Sequence, residues 1–269
     1  MKLSEATKRL SDAGIENARG EAIMLFEHFG GFRKSDLLIG NPESKSEKLC
    51  SAISLREKRE PLQYILGECP FYRENYLVNE NCLIPRQDTE ILVDYAVRHI
   101  PEGKKFLDLC TGSGCVAIST LKNTKNTHAT AVDLSAAALE IAKENAKLNL
   151  VNEKIDLRLS DALSERISGD FYAVLSNPPY VTEKAYEGLE PELYREPRMA
   201  LVAGDGGLEF YKRITSLYRD AFSDGGFIAY EIGYDQGEAL KKIAEENNLS
   251  CEIIKDLSDN DRVAVLRRY

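Results

Sequence analysis

From about residue 85 onward, short apolar runs alternate with amphipathic ones, and this alternation constrains the fold more than any other feature. The apolar runs are KKFLDLC (104–110), HATAVDL (128–134), IDLRLSD (155–161), FYAVLSN (171–177), GFIAYEI (226–232), CEIIKDL (251–257) and RVAVLRR (262–268). Between them lie TEILVDYAVRHI, VAISTLKN, SAAALEIAKENAKLNL, GLEFYKRITSLYRDAFS and QGEALKKIAEENN, which read as amphipathic helices. Apolar strands each followed by a helix pack as a mostly parallel sheet covered on both faces. The last two strands lie too close together for a helical crossover, so they should form an antiparallel pair. The expected class is therefore α/β, a Rossmann-like sheet of seven strands with an antiparallel C-terminal strand.

The chain before this pattern is different. LSEATKRLSDAG ends in a helix-stopping glycine and ENARGEAIMLFEHFGG in two, and no strand alternation precedes Pro61. Residues 1–60 thus read as a small helical domain. Residues 61–84 are rich in tyrosine, leucine and isoleucine, broken by Gly67, Pro70 and NEN, which suits a short β-hairpin linker. Residues 85–269 form the larger domain. The mixed-charge run SLREKRE (54–60) reads as a solvated helix face.

Composition removes several function classes. No apolar stretch approaches the roughly 20 residues that cross a bilayer, and the first residues lack the apolar core of a signal peptide. A cytoplasmic protein with no membrane partner is expected. Six cysteines are scattered without a CxxC pair, which argues against a disulfide framework and against a metal site. The net charge of −9 and the lack of a basic region argue against direct nucleic-acid binding.

The first strand of the larger domain runs into DLCTGSGCVAI, placing Gly112 and Gly114 in a strand-to-helix turn. A turn without Cβ atoms lets a ligand approach the backbone. As spelled, the turn matches G-x-G-x-x-A, and Asp133 follows Gly112 by 21 residues, the dinucleotide fingerprint with its ribose-binding acid. Asp108 argues otherwise, since a carboxylate at the strand end would face a pyrophosphate with like charge. It suits S-adenosyl-L-methionine, which has no phosphate and carries a sulfonium and an ammonium. Asp161 ends the third strand on the same rim, as an acceptor for an adenine amino group or as a cap for the residues that follow.

The fourth strand delivers Asn177-Pro178-Pro179-Tyr180 to that rim. Two consecutive prolines cannot continue a sheet ladder, because neither has an N–H to donate. They can hold a carbonyl in a fixed direction. The Asn177 side-chain oxygen and the Pro178 carbonyl would accept both hydrogens of a planar NH2 group, orienting its nitrogen and favouring the positive charge that grows there. Tyr180 offers an aromatic face for a flat acceptor. Such catalysis works by positioning and fixed dipoles, and needs no general base before attack.

NPPY downstream of DLCTGSG resembles the motif pair of methyltransferases that modify amino groups of adenine, cytosine, guanine or glutamine. REPLQYILGECPFY (59–72), LIPRQDTEILVD (83–94) and REPRMALVAGDGGLEFY (195–211) narrow the resemblance to the PrmC/HemK family of protein-(glutamine-N5) methyltransferases, across essentially the whole chain. The resemblance implies a class I methyltransferase fold with an N-terminal substrate-recognition domain. It implies methyl transfer from S-adenosyl-L-methionine, leaving S-adenosyl-L-homocysteine, to the GGQ glutamine of class 1 peptide chain release factors. A monomer is expected. Cofactor contacts then fall on Asp108, Cys110, Thr111, Gly112, Ser113, Gly114, Asp133, Leu134, Asp161, Ala162 and Asn177. Asn177, Pro178 and Tyr180 are the catalytic set, with Pro179 beside them on the substrate side. Arg86, Thr89 and Glu90 match the family's PR-x-x-TE signature, and Arg86 and Glu90 stand as substrate contacts, with a supporting polar role equally open.

Two departures stand out. Cys110 occupies the first glycine of the family's GTGSG, so the backbone there is expected to stay in an ordinary conformation. Ala162 replaces an aromatic residue that stacks on adenine, which leaves Leu163 to cover the ring. The competing reading is a nucleic-acid amino methyltransferase using the same clamp. A binding module that kept only the fold is the third, and the intact NPPY and cofactor acids speak against it.

Overall fold

A computed structural model describes residues 1–269, and the chain divides into two compact units. The first comprises Met1–Glu68 and Glu190–Arg195, the second Cys69–Leu189 and Glu196–Tyr269.

The first unit is helical: α1 (Leu3–Asp12), α2 (Ala18–Gly30), α3 (Lys34–Ile39), α4 (Glu47–Glu57) and α5 (Leu62–Leu66). Leu3, Ala6 and Leu10 share one face of α1 and bury into a core with Leu25, Phe26, Leu49 and Ile53. Ser46 caps α4 by accepting a hydrogen bond from the Leu49 amide, and Gly31 ends α2 in the left-handed conformation at φ 74°. The expected solvated face at the end of α4 does not form. Arg56 is only 5% exposed, and its guanidinium pairs with Glu21 at 2.5 Å and Glu192 at 2.8 Å. Arg59 reaches the other oxygen of Glu192 at 2.7 Å. A guanidinium this deep must be paired, because an unpaired buried charge costs several kcal/mol. Burial works against the Arg56 charge, and the two carboxylates overcome it and raise its pKa.

A hairpin of β1 (Glu68–Phe71) and β2 (Glu74–Leu77) opens the second unit from Cys69 onward. Then follow α6 (Thr89–His99), β3 (Lys105–Leu109), α7 (Cys115–Asn123), β4 (His128–Asp133), α8 (Ala136–Leu148), β5 (Ile155–Leu159) and β6 (Phe171–Ser176). After the short α9 (Glu183–Tyr186) and α10 (Gly204–Gly207) come α11 (Glu209–Tyr218), β7 (Phe222–Glu231), α12 (Gly237–Glu246), β8 (Leu249–Lys255) and β9 (Asp261–Arg268). The strands form one sheet of order β5-β4-β3-β6-β7-β9-β8. The first five are parallel, while β9 lies antiparallel between β7 and β8.

Alternation along the strands sends side chains to two cores. Phe106, Ala129, Ala173 and Phe227 pack with α6 and α7, whereas Leu107, Val174, Ile228 and Tyr230 pack with α11 and α12. The first strand of the series, β3, lies centrally, with β4 on one side and β6 on the other. The connections after β3 and β6 therefore diverge at the carboxyl edge, where open α/β sheets bind ligands. Leu109 pairs with Ser176 in the register of β3 and β6, so the glycine turn and NPPY leave the sheet side by side.

Candidate active site

The diverging loops border a cavity of about 470 Å³. Cys110, Gly112, Asp133, Leu134, Asp161, Ala162, Asn177 and Pro179 line it, from four different strand ends. Leu163 lies beside Ala162 on the same wall. The acids at its border are Glu80, Asp133, Asp161 and Glu209, and no lysine, arginine or histidine lines it. The charged side chains that a pyrophosphate would meet there are all acidic, which speaks against the dinucleotide reading of the glycine turn.

Asp133 holds the turn in place. One of its oxygens accepts from the Gly112 amide at 2.8 Å, the other from the Ser135 amide at 2.8 Å. Burial raises its pKa, and those backbone amides oppose the rise. Asp161 accepts from the Leu163 amide at 2.8 Å while bordering the cavity, so the capping and ligand-facing roles coexist.

Thr111, Ser113, Gly114 and Asp108 lie behind the cavity wall rather than on it. Gly114 has φ 82°, and a Cβ there would sit 2.9 Å from Ile118 Cδ1 and 3.2 Å from Ala142 Cβ, so its lack of a side chain serves packing onto α8. Asp108 is 1% exposed, and its Oδ2 accepts from the Thr111 hydroxyl at 2.6 Å and the Ala117 amide at 3.2 Å. Its Oδ1 is buried with no hydrogen-bond partner. Burial pushes this carboxyl up to about 7, against the pull of Thr111 and Ala117. An orphaned buried carboxylate oxygen fits a ligand with a cationic end. The apolar wall of Val132, Leu134, Ala162 and Leu163 suits a flat ring, so these residues together fit S-adenosyl-L-methionine.

Cys110 departs from expectation. Its φ is 59°, in the left-handed region, so the backbone keeps the shape that the family's glycine would take. A non-glycine residue pays about 1–2 kcal/mol for this conformation. The flanking bonds hold it: Thr111 N–H donates to the Val132 carbonyl at 3.0 Å, and the Ser176 hydroxyl to the Leu109 carbonyl at 2.7 Å.

Asn177 is fixed by a chain of hydrogen bonds. Its Nδ2 donates to Thr89 Oγ1 at 3.1 Å, and that hydroxyl donates to Glu231 Oε2 at 2.5 Å. Tyr180 OH donates to Glu231 Oε1 at 3.3 Å. Pro178 is buried and Tyr180 partly so; neither lines the cavity. The chain beyond NPPY is clamped where the Tyr180 and Val181 amides both donate to the Leu201 carbonyl.

The two remaining residues of the PR-x-x-TE segment turn elsewhere. Glu90 accepts from the Tyr72 amide at 2.8 Å and so anchors the β1–β2 turn. Arg86 pairs with Glu196, a buried carboxylate that also accepts from the Ile84 amide at 3.0 Å. Neither lines the cavity. Sequence reading missed Glu231, although one signal was available: it is the sole acid in the apolar run GFIAYEI. It also missed Pro197, Met199 and Val202, which line the cavity from a stretch without regular periodicity, and Phe210, which lines it from the first turn of α11.

Residues 87–209 match the model of the methyltransferase small domain, and residues 2–67 that of the PrmC N-terminal domain. The chain is 37% identical over 257 residues to the release factor glutamine methyltransferase of Thermodesulfovibrio yellowstonii, covering 92% of each chain. It is 37% identical over 233 residues to the enzyme of that name from Fusobacterium nucleatum, covering 84% of this chain and 65% of that one. The ribosomal protein L11 methylase of Lactobacillus delbrueckii subsp. bulgaricus shares the fold, with TM-score 0.52 and 18% identity over 71% of this chain and 83% of that one.

Proposed function

Given that the chain belongs to the release factor glutamine methyltransferase family, we propose that it transfers a methyl group from S-adenosyl-L-methionine to the side-chain amide nitrogen of the GGQ glutamine in class 1 peptide chain release factors. The observation that carries this reading is the orientation of Asn177. Its amide nitrogen is committed to Thr89 while the residue lines the cavity, which leaves Oδ1 as the half of the amide available to accept from a substrate.

When bound, S-adenosyl-L-methionine supplies a methyl group activated by its sulfonium. Asp108, Asp133, Leu134, Asp161, Ala162, Leu163 and the turn Cys110–Gly114 would hold it. The substrate amide is a poor nucleophile because its lone pair is delocalised into the carbonyl. Asn177 Oδ1 and the Pro178 carbonyl accept its two N–H hydrogens, which fixes the nitrogen and favours its growing charge. Holding reactants in such alignment contributes up to ~7–11 kcal/mol. The proton leaves after attack, when the nitrogen is strongly acidic, so no buried base is required. Pro179 confines the glutamine side, and Tyr180, set back from the cavity, holds the turn through its hydroxyl bond to Glu231. Residues 1–60 are assigned to gripping the protein substrate, and the enzyme to the cytoplasm as a monomer.

The test is transfer of labelled methyl from S-adenosyl-L-methionine to a purified release factor. Label is expected on the GGQ glutamine and lost when that residue is Gln→Ala. Asn177→Ala is expected to abolish turnover while cofactor binding stays measurable. Label on DNA or ribosomal RNA, with none on the release factor, overturns the proposal.

A further inference from the structure

We propose that Glu231 is a positioning residue: acting through Thr89, its carboxylate sets the side-chain amide of Asn177 in the one orientation that turns Oδ1 to the substrate. The inference rests on the amide clamp proposed above and extends it to residues outside the NPPY motif.

The argument is one of proton counting. A threonine hydroxyl carries a single hydrogen and two lone pairs. The hydrogen of Thr89 is given to Glu231 Oε2 at 2.5 Å, since an ionised carboxylate is acceptor only. Only lone pairs then face Asn177, so only the NH2 half of its amide can sit there, as it does at 3.1 Å. The oxygen half must point the other way. Were Glu231 to carry a proton, it could donate to Thr89, whose own hydrogen would be freed. The Asn177 amide could then flip and present NH2 to a substrate that offers hydrogens. A flipped clamp repels the group it should hold.

Glu231 is well placed for this task. It ends β7 beside the β6 exit, is 2% exposed, and its second oxygen accepts from Tyr180 OH. One carboxylate thus governs two of the four NPPY residues. The Tyr211 hydroxyl donates to the Glu231 backbone carbonyl at 3.0 Å. The charged groups that face it are Arg262 from β9, which favours the ion, and Asp88 at the start of α6, which opposes it. Burial pushes its carboxyl up to about 7, and Thr89 and Arg262 draw it back. Protonation of Glu231 is therefore expected near neutral pH, where the geometry predicts that Asn177 loses its fixed orientation.

Variants of Thr89 and Glu231 test this, read by turnover, by cofactor-product affinity and by the Asn177 carboxamide signal. Thr89→Val keeps the shape and removes the hydroxyl; kcat at saturating cofactor should fall on the order of 100-fold, as expected for a misaligned reacting group. Affinity for S-adenosyl-L-homocysteine, measured by calorimetry, should be retained. Thr89→Ser should recover most of the turnover. In wild type, kcat should fall as pH drops through about 7, and Glu231→Gln should remove that step. The carboxamide readout needs no substrate. The ¹⁵N carboxamide signal of Asn177, assigned by its loss in Asn177→Ala, should titrate near pH 7 in wild type and not in Glu231→Gln. If Thr89→Val turns over like wild type, or the Asn177 signal is indifferent to pH, the inference is wrong. A wild-type enzyme that labels no release factor refutes the proposed substrate instead, and the carboxamide titration still decides the role of Glu231.

Discussion

Asn145 is fully buried in α8 and ties three parts of the catalytic unit together. Its Oδ1 accepts from the Leu77 amide at 2.6 Å, and its Nδ2 donates to the Leu77 carbonyl at 3.0 Å and the Ser113 carbonyl at 2.9 Å. The side chain thus imitates a neighbouring strand for β2 and also pins the glycine turn. Asn145→Ala breaks all three bonds. The Ser113 carbonyl is buried, so leaving it unpaired costs about 1–3 kcal/mol. The two Leu77 groups are nearer the surface, where water replaces part of the loss, and cost about 0.5 kcal/mol each. The sum is roughly 2–4 kcal/mol, or on the order of 10 °C in Tm for a unit of this size. Thermal and urea unfolding of the full chain measure it, and calorimetric titration with S-adenosyl-L-homocysteine should show weakened binding, because the turn is loosened. Asn145→Asp sharpens the test. It keeps the bond from the Leu77 amide but sets a negative oxygen against two carbonyls, so it should cost more than Asn145→Ala. A loss below about 1 kcal/mol for alanine, or an aspartate variant as stable as wild type, would refute the reasoning.

Asp108 and Cys110 give two further predictions. Asp108 binds a proton more tightly when folded, so its contribution to stability falls as pH rises from its unfolded value near 4 through about 7. Asp108→Asn should therefore raise the Tm of the ligand-free protein at pH 8 relative to wild type. Wild type should bind S-adenosyl-L-homocysteine more tightly as pH rises through about 7, and the same variant should bind it more weakly and without that increase. A variant less stable than wild type at pH 8 would show that the buried charge is compensated. At Cys110, the left-handed backbone predicts that Cys110→Gly leaves stability within about 1 kcal/mol of wild type, because relief of strain offsets the added freedom of the unfolded chain. Cys110→Val, β-branched at the same φ, should lose about 2 kcal/mol or more in urea unfolding. Equal stability of the valine and glycine variants would contradict the assigned conformation.

How much of this was legible beforehand follows from the range of each interaction. The sheet and its helices could be read because burial imposes a period on neighbouring residues, and FYAVLS or KFLDL carry that period in themselves. The ligand rim could be read because strand ends in an α/β sheet share an edge whatever the intervening sequence. Glu231 and Thr89 could not be joined, since they lie 142 residues apart and meet only through the order of the strands. Arg56 was misread for the same reason: its partners Glu21 and Glu192 are remote, and a local charge pattern says nothing of them. The Cys110 backbone is not legible locally, because cysteine prefers an ordinary conformation and the neighbouring turn enforces a left-handed one. Glu90, quoted with the motif, proved to brace a hairpin, a role that spacing alone does not separate from ligand contact.

The antiparallel strand β9 ties the far edge of the sheet to the site. In the sheet β8 pairs only with β9, and β9 alone joins it to β7. The strand that fills this position also carries Arg262, the cation that favours an ionised Glu231. Through that one guanidinium, a strand remote in sequence from NPPY bears on the carboxylate proposed to set Asn177.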